Sequence, residues 1–171
     1  MRDPVVMPAR PGVQHRNGVP AAGGTITIMV LALRAILGGV LLYAGFLKAA
    51  GPIAEFAAAI EAYKLLPSIL ISPLALALPY VEMGFGVYLF SGFLTRMSAV
   101  AAGAMFATYL AVLGSALARG IDLASCGCFG ADTLSPRHTI VMDAVLLAIS
   151  ALLYKLSKEP TPYSLDAWLK K

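Results

Sequence analysis

The run ITIMVLALRAILGGVLLYAGFLKAA, residues 26–50, decides the fold. At 1.5 Å per residue, a helix of this length crosses the roughly 30 Å hydrocarbon core of a bilayer. Arg34 lies inside the run, Lys48 lies near its end, and Gly51-Pro52 stops it. The rest of the chain has the same character. Hydrophobic residues make up 59% of the 171 residues and charged residues 13%, against about 45–50% and about 25% in soluble domains. That excess of apolar surface must face lipid. The formal charge of +4 comes mostly from the two tails. No Arg/Lys stripe interleaved with aromatics marks a nucleic-acid surface, so no nucleic-acid partner is expected. Two cysteines are too few for a disulfide scaffold.

Working outward, three further runs are long and apolar enough to span. Residues 69–93 contain Pro73, Pro79 and Glu82, with a kink expected near Pro79. Residues 97–118 carry Ala99, Gly103 and Ala107 every four residues, a small-residue face that permits close helix contact. The fourth run ends near Leu156 and carries Asp143; Ser135 is placed as its N-cap and Pro136 as its first helical residue. Residues 53–65 differ from these. Ile53, Phe56, Ile60 and Tyr63 share one helical face, while Glu55, Glu61 and Lys64 stay off it. So many charges argue against a span and for a short helix on the membrane surface. The expected fold is therefore all-α, a polytopic membrane protein built as a four-transmembrane-helix bundle with a short interfacial helix between spans 1 and 2. The membrane domain covers residues 26–156. Residues 1–25, rich in Pro and Gly, read as a disordered basic tail, and residues 157–171 as a C-terminal tail.

Four spans place both termini on one side, and the positive-inside rule chooses which. The terminal side holds Arg2, Arg10, Arg16, Arg96, Lys155, Lys158, Lys170 and Lys171; the other side holds Lys64, Arg119 and Arg137. The termini are therefore expected in the cytoplasm, in a multi-pass protein of the cell (inner, cytoplasmic) membrane. The connection between spans 3 and 4 is then extracytoplasmic, where disulfides persist.

That connection carries Ser125-Cys126-Gly127-Cys128-Phe129-Gly130, and with it both cysteines of the chain. A thiolate is the nucleophile of thiol–disulfide exchange. Gly127 accepts backbone angles that other residues resist, so Cys126 and Cys128 can bridge each other, in a small and strained ring. Strained disulfides exchange readily. The positive end of the fourth helix, with Arg119 and Arg137, can stabilise a thiolate. Two other readings stand beside exchange: a static loop clip, and a metal site in which Cys126 and Cys128 are joined by His138. Two sulfurs and one imidazole suit Cu(I) or Zn, but a closed zinc site wants a fourth ligand.

The intramembrane charges are the second set of candidates. Measured from the ends of their spans, Arg34 and Glu82 both come near the bilayer midplane, where a lone charge is costly. They are expected to pair, with fixing of helix register the structural alternative to a functional role. Lys48 and Asp143 are expected near the outer ends of their helices, able to pair beneath the cysteine connection, with Asp143 a candidate proton shuttle or a solvated helix-end charge. Tyr43, Tyr80, Tyr88 and Tyr109 are candidates for lining a quinone pocket, although such aromatics more often pack or sit at the interface.

Several of these pieces together resemble the MauE family, within the wider DoxX-like group of four-helix membrane proteins. They are Arg34, Gly45-Phe46-Leu47-Lys48, Ala62-Tyr63-Lys64-Leu65-Leu66-Pro67, Pro79-Tyr80-Val81-Glu82-Met83-Gly84, Arg119-Gly120-Ile121-Asp122 and Cys126-Gly127-Cys128-Phe129-Gly130. The last is the most specific. The resemblance implies a place in methylamine metabolism, in maturing the disulfide-rich small subunit of methylamine dehydrogenase. It implies thiol–disulfide redox exchange between Cys126, Cys128 and a periplasmic or extracellular thioredoxin-like protein or client, and a membrane quinone as a further partner. The rivals are a non-enzymatic assembly factor whose cysteine pair only braces a docking loop, and a metal or solute transporter.

Overall fold

A computed structural model describes residues 21–121 and 136–157. Every regular element among them is helical: α1 (Ala21–Ala50), α2 (Ile53–Ala62), α3 (Ser68–Ser91), α4 (Thr95–Ala118) and α5 (Pro136–Leu156). Four of them, α1, α3, α4 and α5, are long and apolar enough to cross a membrane. The protein is a polytopic membrane protein with the expected four-helix bundle and a short fifth helix after the first span. Residues 1–20, 122–135 and 158–171 lie outside the described residues. These include most of both tails, the Ser135 cap and the Cys126–Cys128 pair.

The element boundaries have local causes. α1 begins at Ala21, five residues before the apolar run, where Ala21 and Ala22 favour a helix and Gly23 and Gly24 do not. α2 stops at Ala62, where Tyr63 caps it and Lys64 takes φ 51°, turning the chain before Leu66-Pro67. α3 runs through Pro73 and Pro79 as one helix. It ends in a Schellman turn: Gly92 adopts φ 71°, and the Phe93 N–H donates to the Tyr88 carbonyl at 3.0 Å. The Phe93 and Tyr88 rings meet edge to face, 5.8 Å apart, completing the motif. α4 ends the same way, with Gly120 at φ 67° and the Ile121 N–H donating to Ala116 at 3.0 Å.

Each span buries a stripe at alternating three- and four-residue steps. On α1 it is Val30, Arg34, Leu37, Leu41, Ala44 and Lys48; on α5 it is Thr139, Asp143, Leu146, Ser150 and Leu153. On α4 it runs Thr95, Ala99, Ala102 and Phe106, and later Leu113 and Ala116. This spacing keeps one seam facing the bundle axis in aligned helix packing. The other faces carry exposed Ile, Leu, Val and Phe, as lipid requires. Polarity is thus inverted relative to a soluble bundle: the buried seams hold Arg34, Lys48, Glu82 and Asp143. The α4 stripe of small residues is used in part. Ala99 is buried and Gly103 lies 3.5 Å, measured from an ideal Cβ, from Ser150 of α5, but Ala107 is exposed.

The closest helix contact lies elsewhere, between antiparallel α1 and α3. A Cβ added at Gly45 would come within 2.7 Å of the Pro79 carbonyl and of Met83 Cγ. One at Gly86 would meet Leu42 Cγ at 2.7 Å and the Gly38 carbonyl at 3.0 Å, and one at Gly38 would meet the Gly86 carbonyl at 2.9 Å. Real side chains do not fit there, so these three glycines set both the spacing and the register of the two helices. α1 also packs on α5, α5 on α4, and α4 on α3, which closes the bundle; α2 lies against α3.

Gly86→Leu is expected to lower the thermal unfolding midpoint of the detergent-solubilised protein, with overpacking costing about 1–3 kcal/mol or more. Gly39→Ala, where an added Cβ meets nothing within 4 Å, is the control and should leave the midpoint unchanged.

Candidate functional site

A buried polar centre lies where α1, α3, α4 and α5 meet. Lys48 is placed there by the last turn of α1 and Glu82 by the middle of α3. The Lys48 ammonium donates to both carboxylate oxygens of Glu82, at 2.6 Å to Oε1 and 2.7 Å to Oε2. The Tyr109 hydroxyl, from α4, also donates to Glu82 Oε1. Glu82 is fully buried and Lys48 is 5% exposed. The Lys48 Nζ lies 5.5 Å from the Tyr109 ring centroid and 5.8 Å from that of Phe56 on α2, within reach of cation–π attraction. Asp143 on α5 is 1% exposed. It lines one small cavity together with Lys48, Glu82 and Tyr109. Two carboxyl groups, one ammonium and one phenol are therefore gathered in a setting closed off by Val40, Leu41, Ala44 and Phe106.

This arrangement corrects both expected pairings. Arg34 does not pair with Glu82. It donates through Nε to the Leu89 carbonyl at 2.9 Å and through its NH2 nitrogen to the Phe90 carbonyl at 3.2 Å, where the α3 dipole ends negative. Gly92 makes room for it: a Cβ there would fall onto the guanidinium. The cause is register. The glycine contacts place Glu82 level with Gly45, and Gly45 is eleven residues, about 16 Å, from Arg34 along α1. Lys48 is only three residues beyond Gly45, within reach of its own side chain. Aligning the ends of the spans hid this offset, because the two helices are staggered along each other: Gly45 meets Pro79 and Met83, eleven or more residues into α3, although it lies only five residues from the end of α1. For the same reason the expected Lys48–Asp143 pair is replaced: the ammonium is committed to Glu82, and Asp143 joins the cavity instead.

Other candidates fall as follows. Arg119 donates to the Tyr63 carbonyl at 2.6 Å and to the Ser115 carbonyl at 3.1 Å, tying the end of α4 to the end of α2. His138 and Arg137 are exposed in the first turn of α5. Among the described residues no three His, Cys, Asp or Glu side chains are grouped to hold a metal; Cys126 and Cys128 lie outside that set. Tyr43, Tyr80 and Tyr88 are exposed, at 59%, 62% and 45%. Of the four expected pocket tyrosines, Tyr109 lines a cavity that Tyr63 lines as well. The hydrogen-bonding role of Tyr109 and the approach of Phe56 were not anticipated. The only signal for Tyr109 was its position on the buried stripe of α4, between Phe106 and Leu113.

The polar centre is near the end of the bundle from which the cysteine connection leaves. Asp143 is seven residues into α5, about 10 Å from its start, and Lys48 is two residues from the end of α1. α2 covers the same end.

A sequence profile described as "Methylamine utilisation protein MauE" matches residues 26–156. A curated relative, the "Methylamine utilization protein MauE" of Methylophilus methylotrophus, is 33% identical over 96 residues, 56% of this chain and 50% of the relative. The alignment thus spans about half the length of that relative. No solved structure matches.

A double-mutant cycle separates the two pairings. Lys48→Met and Glu82→Gln should each destabilise, the first by about 3–5 kcal/mol because it leaves a buried carboxylate uncompensated. Together they should cost clearly less than their sum. Arg34→Met and Glu82→Gln should add to within about 0.5 kcal/mol, as separated sites do. Unfolding of the protein in mixed micelles provides the readout.

Proposed function

The chain belongs to the MauE family, and from that premise we propose that it serves methylamine utilisation by thiol–disulfide exchange at Cys126 and Cys128, outside the cytoplasmic membrane. The observation that carries this reading is the placement of the chain's only two thiols. They are one glycine apart, in the polar connection between α4 and α5. The Lys/Arg excess on the side of the termini supports an extracytoplasmic position for that connection. The family and the name of the Methylophilus relative support the methylamine link.

The chemistry balances with a disulfide-bearing partner. The thiolate of one cysteine attacks a sulfur of the partner disulfide; the other partner sulfur leaves as a thiolate and takes a proton. The second cysteine then attacks the mixed disulfide. A Cys126–Cys128 bond forms, the partner leaves as a dithiol, and two electrons have passed to it. Run in reverse, the same steps oxidise a partner dithiol. The partner class is a thioredoxin-like protein or an exported client rich in disulfides, the kind of substrate that methylamine dehydrogenase maturation would present. Turnover then needs a second redox partner to reset the pair.

The bundle contributes position. Arg119 fixes the end of α4 against α2, and the Lys48–Glu82 pair joins α1 to α3. The connection therefore starts from a helix end that is tied to α2. With only Gly127 between them, the two sulfurs cannot move far apart.

Trapping tests the reading. With Cys126→Ser and Cys128→Ser made singly in full-length protein, the variant lacking the resolving residue should accumulate a mixed disulfide with a partner. It would be visible as a higher band on a non-reducing gel and lost on reduction. No adduct with either variant, or full function in a Cys126→Ala/Cys128→Ala double variant, would instead assign the pair a bracing role.

A further inference from the structure

Charge is shared unevenly between the two ends of the bundle. The acids among the described residues are Glu55 and Glu61 on α2, and Glu82 and Asp143 in the buried centre. The end where α3 hands over to α4 and where α5 finishes holds none of them, but it holds Arg34, Arg96 and Lys155. Arg34 is buried and committed to the last carbonyls of α3. Arg96 and Lys155 are exposed, and neither is ion-paired to an acid among the described residues. Arg96 is the second residue of α4, and Tyr154 lies two residues before the end of α5. The two helices run antiparallel, so these residues meet: the Arg96 guanidinium carbon is 4.6 Å from the Tyr154 ring centroid, within cation–π range. Lys155 follows Tyr154 in the last turn of α5. Helix ends of this kind lie at the level of the lipid headgroups, where tyrosine and basic residues collect.

The chemistry of this cluster selects an anion. The ring face steadies the guanidinium but is no substitute for oxygen acceptors. A guanidinium carries five N–H donors in a planar fork that matches phosphate oxygens in pairs. Lys155 adds a second positive charge beside it, with no described acid to offset either. A zwitterionic head would bring its own ammonium against both. At headgroup depth the anion in reach is the phosphate of a lipid. The faces beneath the cluster suit its tail. Val100 and Ala104 continue the Arg96 face of α4 at four-residue steps, and Ala151 lies one turn back from Tyr154 on α5. All three are exposed. They form a track of small and medium apolar side chains leading from the charges towards the membrane interior.

We propose that Arg96, Tyr154 and Lys155 form a binding site for one anionic phospholipid. Its phosphate is held by Arg96 and Lys155, and an acyl chain lies along Val100, Ala104 and Ala151. Tyr154 holds the guanidinium in place for the phosphate. The bound lipid ties the start of α4 to the end of α5, at the end of the bundle remote from the cysteine connection. The site stands apart from the thiol chemistry and holds whether or not Cys126 and Cys128 exchange.

Dioctanoyl phosphatidylglycerol is the probe. It is titrated into the purified full-length protein in a neutral detergent while the thermal unfolding midpoint is followed. Wild-type protein should show a saturable rise in midpoint. Arg96→Gln and Lys155→Gln should each need about fivefold more lipid for the same rise, the worth of one cation facing anionic lipid. Tyr154→Leu should shift the titration in the same direction. Lys64→Gln removes an exposed cation at the other end of the bundle and should leave the titration where it is. Dioctanoyl phosphatidylcholine and inorganic phosphate should give no saturable rise over the same range. Four results would overturn the proposal: no rise in wild type, an unshifted titration in Arg96→Gln or Lys155→Gln, an equal shift in Lys64→Gln, or an equal rise with phosphatidylcholine or inorganic phosphate. Each variant is compared with its own lipid-free midpoint, and the two cation variants are independent, so misfolding of one leaves the other to decide.

Discussion

Where α1 crosses α3, Gly38, Gly45 and Gly86 leave no room for a Cβ. In lipid there is little hydrophobic gain from bringing two apolar helices together, so close backbone packing and buried polar bonds must hold them. The glycine contacts supply the packing and, because they fit in one register only, they also choose the polar bonds. They set Lys48 beside Glu82 and Arg34 beside the last carbonyls of α3. Two cations on one helix are thereby given two different acceptors: a carboxylate and a helix end. Gly92 takes part in the same solution, since its left-handed conformation both turns the chain and leaves space for the guanidinium.

The polar centre follows from that register. A charged pair buried in a bundle is no sign of stability by itself, because desolvation offsets much of the attraction. Here each partner is further satisfied: Glu82 accepts from Tyr109, and Lys48 lies near two aromatic faces. Four helices thus contribute to one cluster when Asp143 is included. The cluster locks the bundle at the end that also carries α2 and the cysteine connection.

Much of the fold was legible in the sequence, because a lipid solvent leaves few options. Long apolar runs, the first of them stopped by Gly51-Pro52, set the number and order of helices. The amphipathic pattern of Ile53, Phe56, Ile60 and Tyr63 identified α2. All four charged residues singled out from the sequence (Arg34, Lys48, Glu82 and Asp143) are buried. What could not be read was who meets whom. Depth counted from span ends assumes that antiparallel helices begin and end together, and the stagger of α1 against α3 breaks that assumption. The information lay in Gly38, Gly45 and Gly86, which mark the true point of closest approach. Hydropathy carries no such signal, since glycine is neutral on any apolar scale. The tyrosines show the same limit: four were candidates for a pocket, and exposure to lipid or burial on the axis depended on helix rotation.

The most direct measurement concerns the thiols themselves. Intact cells are treated with a membrane-impermeant maleimide, with and without prior mild reduction, and labelling of Cys126 and Cys128 is read by mass shift. Labelling that appears after reduction without opening the cells is the expected result, since it places an exchangeable bond outside the membrane. Labelling that requires permeabilised cells would contradict it, because thiols on the cytoplasmic side face a reducing pool and cannot act as an exported disulfide exchanger.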